Sequence, residues 1–113
     1  MQGAHSALAP ENTIEVNAYA LYNNGYGRVD ASAKAYDSTD EVMVMIYARF
    51  DDTPVYCAID FGQGYAYAYI DSKEAGIENV KYTYAEAEGE NYNTGETVFV
   101  SAFASQSSGW CGC

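Results

Sequence analysis

Leucine and basic residues are both scarce in this chain of 113 residues. Leucine occurs only as Leu8 and Leu21, and lysine plus arginine number five against 16 aspartates and glutamates. The net charge of −11 repels phosphate backbones and anionic membrane surfaces, which argues against nucleic-acid binding. No apolar run approaches the ~18 residues of a membrane helix, so we expect no membrane insertion.

The residues and motifs of catalysis are also scarce. His5 is the only histidine, and it lies in a segment that we expect to be mobile, away from a rigid serine–histidine–aspartate arrangement. The acidic pairs follow no recognised calcium-loop spacing, and the cysteines form no Cys-x-x-Cys knuckle for zinc. We therefore predict a protein that is not an enzyme, with no catalytic residues, no metal site and no cofactor.

Alanine at every second position is the most informative pattern that the chain does contain. A spacing of two places side chains on one face of a strand, whereas residues of a helix share a face at spacings of three and four. Three of the stretches begin with bulky apolar residues and end in alanine, so a facing sheet must come closer there or send tyrosine and phenylalanine across. The five stretches are Ala18/Ala20, Ala31/Ala33/Ala35, Ala66/Ala68, Ala85/Ala87 and Ala102/Ala104.

These stretches predict an all-β domain of about seven strands, an antiparallel β-sandwich or jelly-roll-like fold over residues 13–105. Residues 1–12 are expected to form a flexible N-terminal arm, and residues 106–113 a cysteine-containing C-terminal tail. On the fourth strand we expect Val55, Cys57, Ile59 and Phe61 to face inward. The predicted strands cover residues 13–22, 28–36, 42–50, 55–61, 65–71, 79–87 and 97–105.

Tyrosine, with twelve copies, supplies the candidate binding surface. Tyrosine suits sheets and interfaces because its ring is apolar and its hydroxyl is polar, and rows of rings stack on sugars or on other proteins. About half of these rings are expected to fill the core opposite the alanines, with Tyr19, Tyr36, Tyr47 and Tyr56 the better exposed. The candidate aromatic surface comprises Tyr65, Tyr67, Tyr69, Tyr82, Tyr84 and Trp110.

The three cysteines are an odd number, so pairing within one chain leaves one thiol over. A bridge between Cys111 and Cys113 closes a very small, strained ring. One alternative joins Cys57 to a tail cysteine, and another joins a tail cysteine to a second molecule. A third leaves Cys57 as a buried small apolar residue. Either bridge implies an oxidising, extracellular location.

The segments Val80-Lys81-Tyr82-Thr83-Tyr84 and Thr97-Val98-Phe99-Val100-Ser101-Ala102, with the recurring alanine stretches, resemble small exported β-sandwich proteins of Gram-positive bacteria. The likeness covers residues 13–105 and is compositional. The N-terminal arm and the Cys111-Gly112-Cys113 tail are similar in plan to self-assembling surface appendage subunits. That similarity implies a small sandwich whose termini and cysteines join neighbouring subunits.

We therefore expect an exported or cell-surface structural protein that self-associates or binds another surface protein. It is a candidate filament or appendage subunit, in which residues 1–12 add a strand to a neighbour's sheet. An adhesion module that binds a carbohydrate or a protein through exposed tyrosines is the first alternative. A secreted effector or antimicrobial protein is the second, and its negative charge requires a receptor.

Overall fold

The protein is an antiparallel β-sandwich, which confirms the predicted fold class. The structure, a computed structural model, describes residues 2–8, for which only the backbone path is given, and residues 13–105. Sheet 1 has the strand order β1-β2-β3-β6 and sheet 2 the order β5-β4-β7-β8. The strands are β1 (Gln2–Leu8), β2 (Ile14–Asn23), β3 (Tyr26–Ala35), β4 (Glu41–Phe50), β5 (Tyr56–Gln63), β6 (Tyr65–Asp71), β7 (Tyr82–Asn91) and β8 (Thr97–Ser105).

Seven of these strands are the seven predicted from the sequence, and the eighth comes from the N-terminal segment. Residues 2–8, which the sequence places outside the sandwich as an arm, form β1 and pair antiparallel with β2 from Gln2↔Tyr22 to Leu8↔Val16. The strand also lies against β8 of the opposite sheet. In the part of the chain that the structure describes, no helix is long and apolar enough to cross a membrane.

The hairpin between β2 and β3 turns on Asn24 and Gly25. Both have positive φ, 51° and 83°, the backbone geometry that two-residue hairpins require and that asparagine and glycine tolerate best. The turn aligns β2 and β3 so that Ile14 lies opposite Ala35 and Ala20 lies opposite Val29. The bulky end of one strand thus meets the alanine end of the next.

Because of this antiparallel pairing, the decrease in side-chain size along each strand evens out across sheet 1. The middle of its inner face is a row of alanines, Ala18, Ala31 and Ala68, all of them buried. Of the tyrosine and phenylalanine rings, Phe50 is fully buried and Tyr22 and Tyr56 pack against the core. The bulk of the interior comes from sheet 2, on residues that are fully buried: Val42, Val44, Ile46 and Phe50.

The two sheets approach each other closely at Gly89 of β7. A methyl group built on Gly89 would lie 2.3 Å from Val16 Cγ2 and 3.2 Å from Ala33 Cβ, both of sheet 1. These distances are shorter than van der Waals contact, so only glycine fits between the layers at this point. Small side chains in both sheets therefore produce a thin interior.

Strand β5 has the opposite facing from the one predicted. Tyr56 and Ala58 pack against the core, while Cys57, Ile59 and Phe61 are exposed, as is Val55 just before the strand. The register explains the error, because Cys57 pairs with Tyr47, which points outward from β4, and cross-strand partners share a face. The more apolar half of this strand therefore faces away from the interior.

A side chain protects the edge of β6. Asp60 pairs with the fully buried Val44, so it sits on the inner side of β5, and its Oδ2 accepts a hydrogen bond of 3.0 Å from the Tyr67 backbone N–H. An inward-pointing charge that occupies edge donors prevents another strand from pairing there.

Asn91 joins the two sheets at one end of the sandwich. It is fully buried at the end of β7, and its Nδ2 donates to the Thr13 carbonyl at 3.2 Å and to Asp40 Oδ2 at 2.9 Å. Its Oδ1 accepts from the Asn93 backbone N–H at 2.9 Å. One side chain thus connects the start of β2, the β3–β4 connection and the β7–β8 turn.

Candidate functional site

Three of the predicted surface tyrosines form an exposed row on the outer side of sheet 1. Tyr65, Tyr67 and Tyr69 alternate along β6 with buried Ala66 and Ala68, because successive side chains of a strand point to opposite faces. Tyr65 is 53% exposed, and the rings of Tyr67 and Tyr69 stack with centroids 6.3 Å apart. All three of these rings lie outside the core.

Arg28 of β3 organises the tyrosine row. Its guanidinium donates to Asp30 at 3.0 and 3.1 Å, lies 3.6 Å from Asp71 Oδ2, and is centred 4.3 Å over the Tyr69 ring. It also donates to the Tyr67 hydroxyl at 3.3 Å, and that hydroxyl in turn donates to Asp30. The hydrogen bond to Asp30 is the main cause of a raised Arg28 pKa.

The surroundings of the Tyr67 hydroxyl favour its protonated form. Partial burial, followed by the hydrogen bond to Asp30, raises the pKa of Tyr67 above its ordinary value. Beside it, Tyr19, Asp30, Tyr65 and Tyr67 line a small groove of about 120 Å³. A carboxylate between aromatic rings can hydrogen-bond to a ligand hydroxyl while the rings contact its apolar side.

Tyr82 and Tyr84, expected beside the β6 tyrosines, lie in the other sheet. Tyr82 is half-buried at the start of β7, donates its hydroxyl to the Asp51 carbonyl at 2.6 Å and stacks on Phe103. Tyr84 faces outward and donates to Glu86 at 3.1 Å. Desolvation, followed by that hydrogen bond, raises the Tyr84 pKa. The candidate surface is therefore two separate groups of tyrosines.

The outer side of sheet 2 carries a larger apolar surface that the sequence analysis missed. Phe99 is 65% exposed and Phe61 56% exposed, at opposite edges of the sheet. The alternation of β8 contains the signal, because an inward strip of Val98, Val100, Ala102 and Ala104 places Phe99 and Phe103 outside. We call this surface the sheet 2 face, defined by Tyr47, Cys57, Ile59, Phe61, Tyr84, Phe99 and Phe103.

A groove and a line of carboxylates run through the sheet 2 face. The groove has a volume of about 460 Å³ and is lined by Tyr47, Tyr84, Phe99 and two glutamates, Glu86 and Glu88. Glu86, Glu88 and Glu90 follow one another at every second position of β7, opposite Tyr47, Met45 and Met43 of β4. The groove can receive an aromatic side chain whose N–H group donates to a glutamate.

Cys57 lies on the same face, contrary to the prediction that it is buried. It is an exposed free thiol on the edge strand β5. The register places Cys57, Tyr47, Glu86 and Ser101 in one row across the four strands of sheet 2. The other predicted residues, Trp110, Cys111 and Cys113, lie outside the described residues, as does the side chain of His5.

Acidic residues in the turns accept hydrogen bonds from backbone N–H groups. Asp51 Oδ1 accepts hydrogen bonds from the backbone N–H groups of Lys81 at 2.8 Å and Tyr82 at 2.9 Å. Asp37 accepts from the Thr39 backbone and hydroxyl, and these bonds lower the Asp37 pKa. Within residues 13–105, no three histidine, cysteine or acidic side chains are grouped closely enough to hold a metal ion.

Comparison with known proteins gives no match for this chain, either to a protein-family model or to a curated protein sequence. The function must therefore be argued from the geometry of the strands and surfaces.

Proposed function

We propose that this protein is a non-catalytic, exported structural subunit that assembles with copies of itself by exchanging strand β1. The position of β1 carries the proposal. It is an edge strand that pairs over its whole length with β2 and lies against β8, and its covalent link to β2 runs through residues 9–12. An edge strand tethered in this way can pair with β2 of its own chain or with β2 of a neighbour.

Exchange carries little cost in contact energy because the same contacts form in both arrangements. Swapping an identical element between subunits preserves its hydrogen bonds and its apolar contacts, so the two states differ mainly in the strain of the connecting segment. A head-to-tail series of such exchanges generates an open chain of subunits. This matches the filament or appendage role that the sequence suggests.

The protection of the β6 edge supports exchange at β1. Asp60 occupies the Tyr67 N–H on the outer edge of β6, which hinders strand addition there. By contrast, β2 without β1 would present an unpaired edge along residues 16–22. Only another extended segment satisfies such an edge, and residues 2–8 of a second copy have the required sequence.

The composition supports the proposed location outside the cell or on its surface. A net charge of −11 keeps individual subunits apart until specific contacts form, and thiols in an oxidising compartment can cross-link assembled subunits. The partner is a second copy of this chain or another surface protein with an open strand edge.

Changing the length of the connection tests the exchange without altering either strand. Deleting residues 9–12 should prevent β1 from folding back and should favour linked subunits, whereas inserting eight glycine and serine residues there should favour monomers. Light scattering during size-exclusion chromatography, with reductant present, measures the difference. A synthetic peptide of residues 1–12 should shorten the chains formed by the deletion variant. Monomers for both variants at every concentration would refute the proposal.

A second candidate function is recognition of a carbohydrate or a protein through the tyrosine row of sheet 1. The groove between Tyr19 and Tyr65, with Asp30 at its side, favours a ligand that combines an apolar face with hydroxyl groups. Binding to a glycan array that is lost in Tyr65→Ala and kept in Tyr84→Ala would support it. Equal binding by both variants would exclude this groove as the site.

A further inference from the structure

The sheet 2 face has the composition of a covered surface. On β5 the exposed positions include Ile59 and Phe61, whereas the inward positions include Asp60 and Gly62, so the apolar half of the strand points out. Large exposed apolar areas on small proteins usually mark a surface that contacts another chain segment or protein. The composition of the sheet 2 face therefore indicates that another chain segment or protein covers it.

We propose that residues 106–113 of the same chain lie back across the sheet 2 face, with Trp110 in the groove and Cys113 joined to Cys57 by a disulfide. The segment follows directly from Ser105 at the end of β8, which borders this face. The groove already has three aromatic walls, Tyr47, Tyr84 and Phe99, and two glutamates that can accept the indole N–H.

The reach of the segment fits the position of Cys57. Neighbouring strands lie about 4.8 Å apart, so the three steps from β8 to β5 span about 14 Å. Cys57 is in the same row as Ser101, and Ser105 is four residues farther along β8, about 13 Å, which gives a diagonal of about 20 Å. Eight extended residues cover about 26 Å and reach Cys57 with slack, whereas the six to Cys111 cover about 20 Å and span the diagonal only when fully extended.

Charge favours this segment over a second copy of the chain. Residues 106–113 contain no charged side chain, whereas another copy brings a net charge of −11 toward Glu86, Glu88 and Glu90. Like charges facing one another across a desolvated surface oppose association. A neutral segment with a tryptophan covers the apolar side chains without that repulsion.

The covalent step is an ordinary thiol–disulfide exchange with a small-molecule disulfide such as oxidised glutathione. The Cys57 thiolate attacks the oxidant, forms a mixed disulfide and releases one thiol; the Cys113 thiolate then displaces the second thiol. Two protein thiols are oxidised, one disulfide is reduced to two thiols, and the thiol protons pass to the thiolates released. Cys111 remains as the odd thiol, available to a neighbouring subunit.

The full-length chain tests this directly, because Trp110 is its only tryptophan. After incubation at micromolar concentration in a glutathione redox buffer, intact mass should show a monomer that has lost two hydrogens, and peptide mapping should join Cys57 to Cys113. A short linker gives the two thiols an effective concentration of about millimolar, so bridging within one chain should dominate. Acrylamide quenching of Trp110 should fall to about half or less on oxidation as its ring becomes covered.

Three variants separate docking from general folding effects. Cys57→Ser should abolish the bridge and restore quenching, and Phe99→Ser should restore part of the quenching while the bridge still forms. Tyr65→Ser, on the opposite sheet, should behave as the parent chain. A Cys57 disulfide found only between chains, a bridge to Cys111 alone, or Trp110 quenching unchanged by oxidation would overturn the proposal.

Discussion

The two sheets distribute their large side chains differently. In sheet 1 the inner face is mostly alanine and valine, while large tyrosines point outward and are fastened by Arg28, Asp30 and Asp71. In sheet 2 the interior holds the bulk, including Ile46 and Phe50, and the outer face still carries exposed apolar residues.

The outer face of sheet 1 has polar groups that are hydrogen-bonded within the protein, whereas the sheet 2 face leaves apolar rings exposed. On the outer face of sheet 1, the Tyr67 hydroxyl accepts a hydrogen bond from the Arg28 guanidinium and donates one to Asp30. On the sheet 2 face, Phe99 and Phe61 have no polar atoms to offer to water. Four predictions test this contrast, beginning with the contact between the inner faces of the two sheets.

The largest loss of stability is expected where the thin inner face of sheet 1 meets sheet 2. Gly89→Val should lower the free energy of unfolding by about 3 kcal/mol, because the added side chain overlaps Val16 and forces the layers apart. Urea denaturation measures the change. In a Val16→Ala background the same substitution should cost clearly less, and an additive result would show that the two residues do not compete for space.

The hydrogen bonds that join the two sheets should rank next. Asn91→Ala leaves the Thr13 carbonyl, the Asp40 carboxylate and the Asn93 N–H without this partner, and should cost about 2 kcal/mol. Asn91→Asp keeps only the acceptor for Asn93 and places a second carboxylate beside Asp40, so it should not rescue stability. Thermal unfolding of both variants, compared with the parent, decides whether the donor groups matter.

A gain in stability is expected at Thr83, whose hydroxyl is the one buried side-chain group in the described residues without a hydrogen-bond partner. Thr83 Oγ1 is buried on the inner face of sheet 2 and makes no hydrogen bond to any described residue. Thr83→Val removes the desolvated hydroxyl while keeping the shape, and should raise stability by about 1 kcal/mol. Thr97→Val, at an exposed site, is the matched control. A destabilised Thr83→Val variant would mean that the hydroxyl has a partner.

The smallest effect is expected at the outer face of sheet 1, at alkaline pH. The Tyr67 pKa is raised in the folded state, so the native protein holds this proton more tightly than the unfolded chain does. Its stabilising contribution is complete below about pH 10, the unfolded value, and is lost as the pH rises through the folded value. Unfolding curves from pH 8 to 12 should therefore decline less steeply for Tyr67→Phe than for Tyr65→Phe.

Alternation along the sequence located seven of the eight strands in the described residues, because the alternation does not depend on which strand is the partner. It misassigned the facing of β5 because hydrophobicity alone selects Ile59 and Phe61 as inner residues. Only the register with β4, where Cys57 lies opposite the outward Tyr47, fixes which half faces in. Register depends on contacts far apart in the sequence, so a single strand cannot reveal it.

For the candidate surfaces too, features within one strand were predictable and contacts between strands were not. Tyr65, Tyr67 and Tyr69 lie two residues apart on one strand, so their common face was predictable. Their separation from Tyr82 and Tyr84 was not, because β6 and β7 are consecutive in the chain but belong to different sheets. The β1–β2 pairing also escaped prediction, since Gln2–Leu8 has little of the apolar alternation that marks a strand.

The alanine row of sheet 1 also affects how the protein responds to temperature. A methyl group has no side-chain torsion between heavy atoms to freeze, so ordering Ala18, Ala31 and Ala68 costs almost no rotamer entropy. It also exposes little apolar area on unfolding, which lowers the heat-capacity increment below the roughly 12–15 cal/mol/K per residue of ordinary domains. A small increment broadens the stability curve, so the sandwich should keep its folding free energy over an unusually wide range of temperatures.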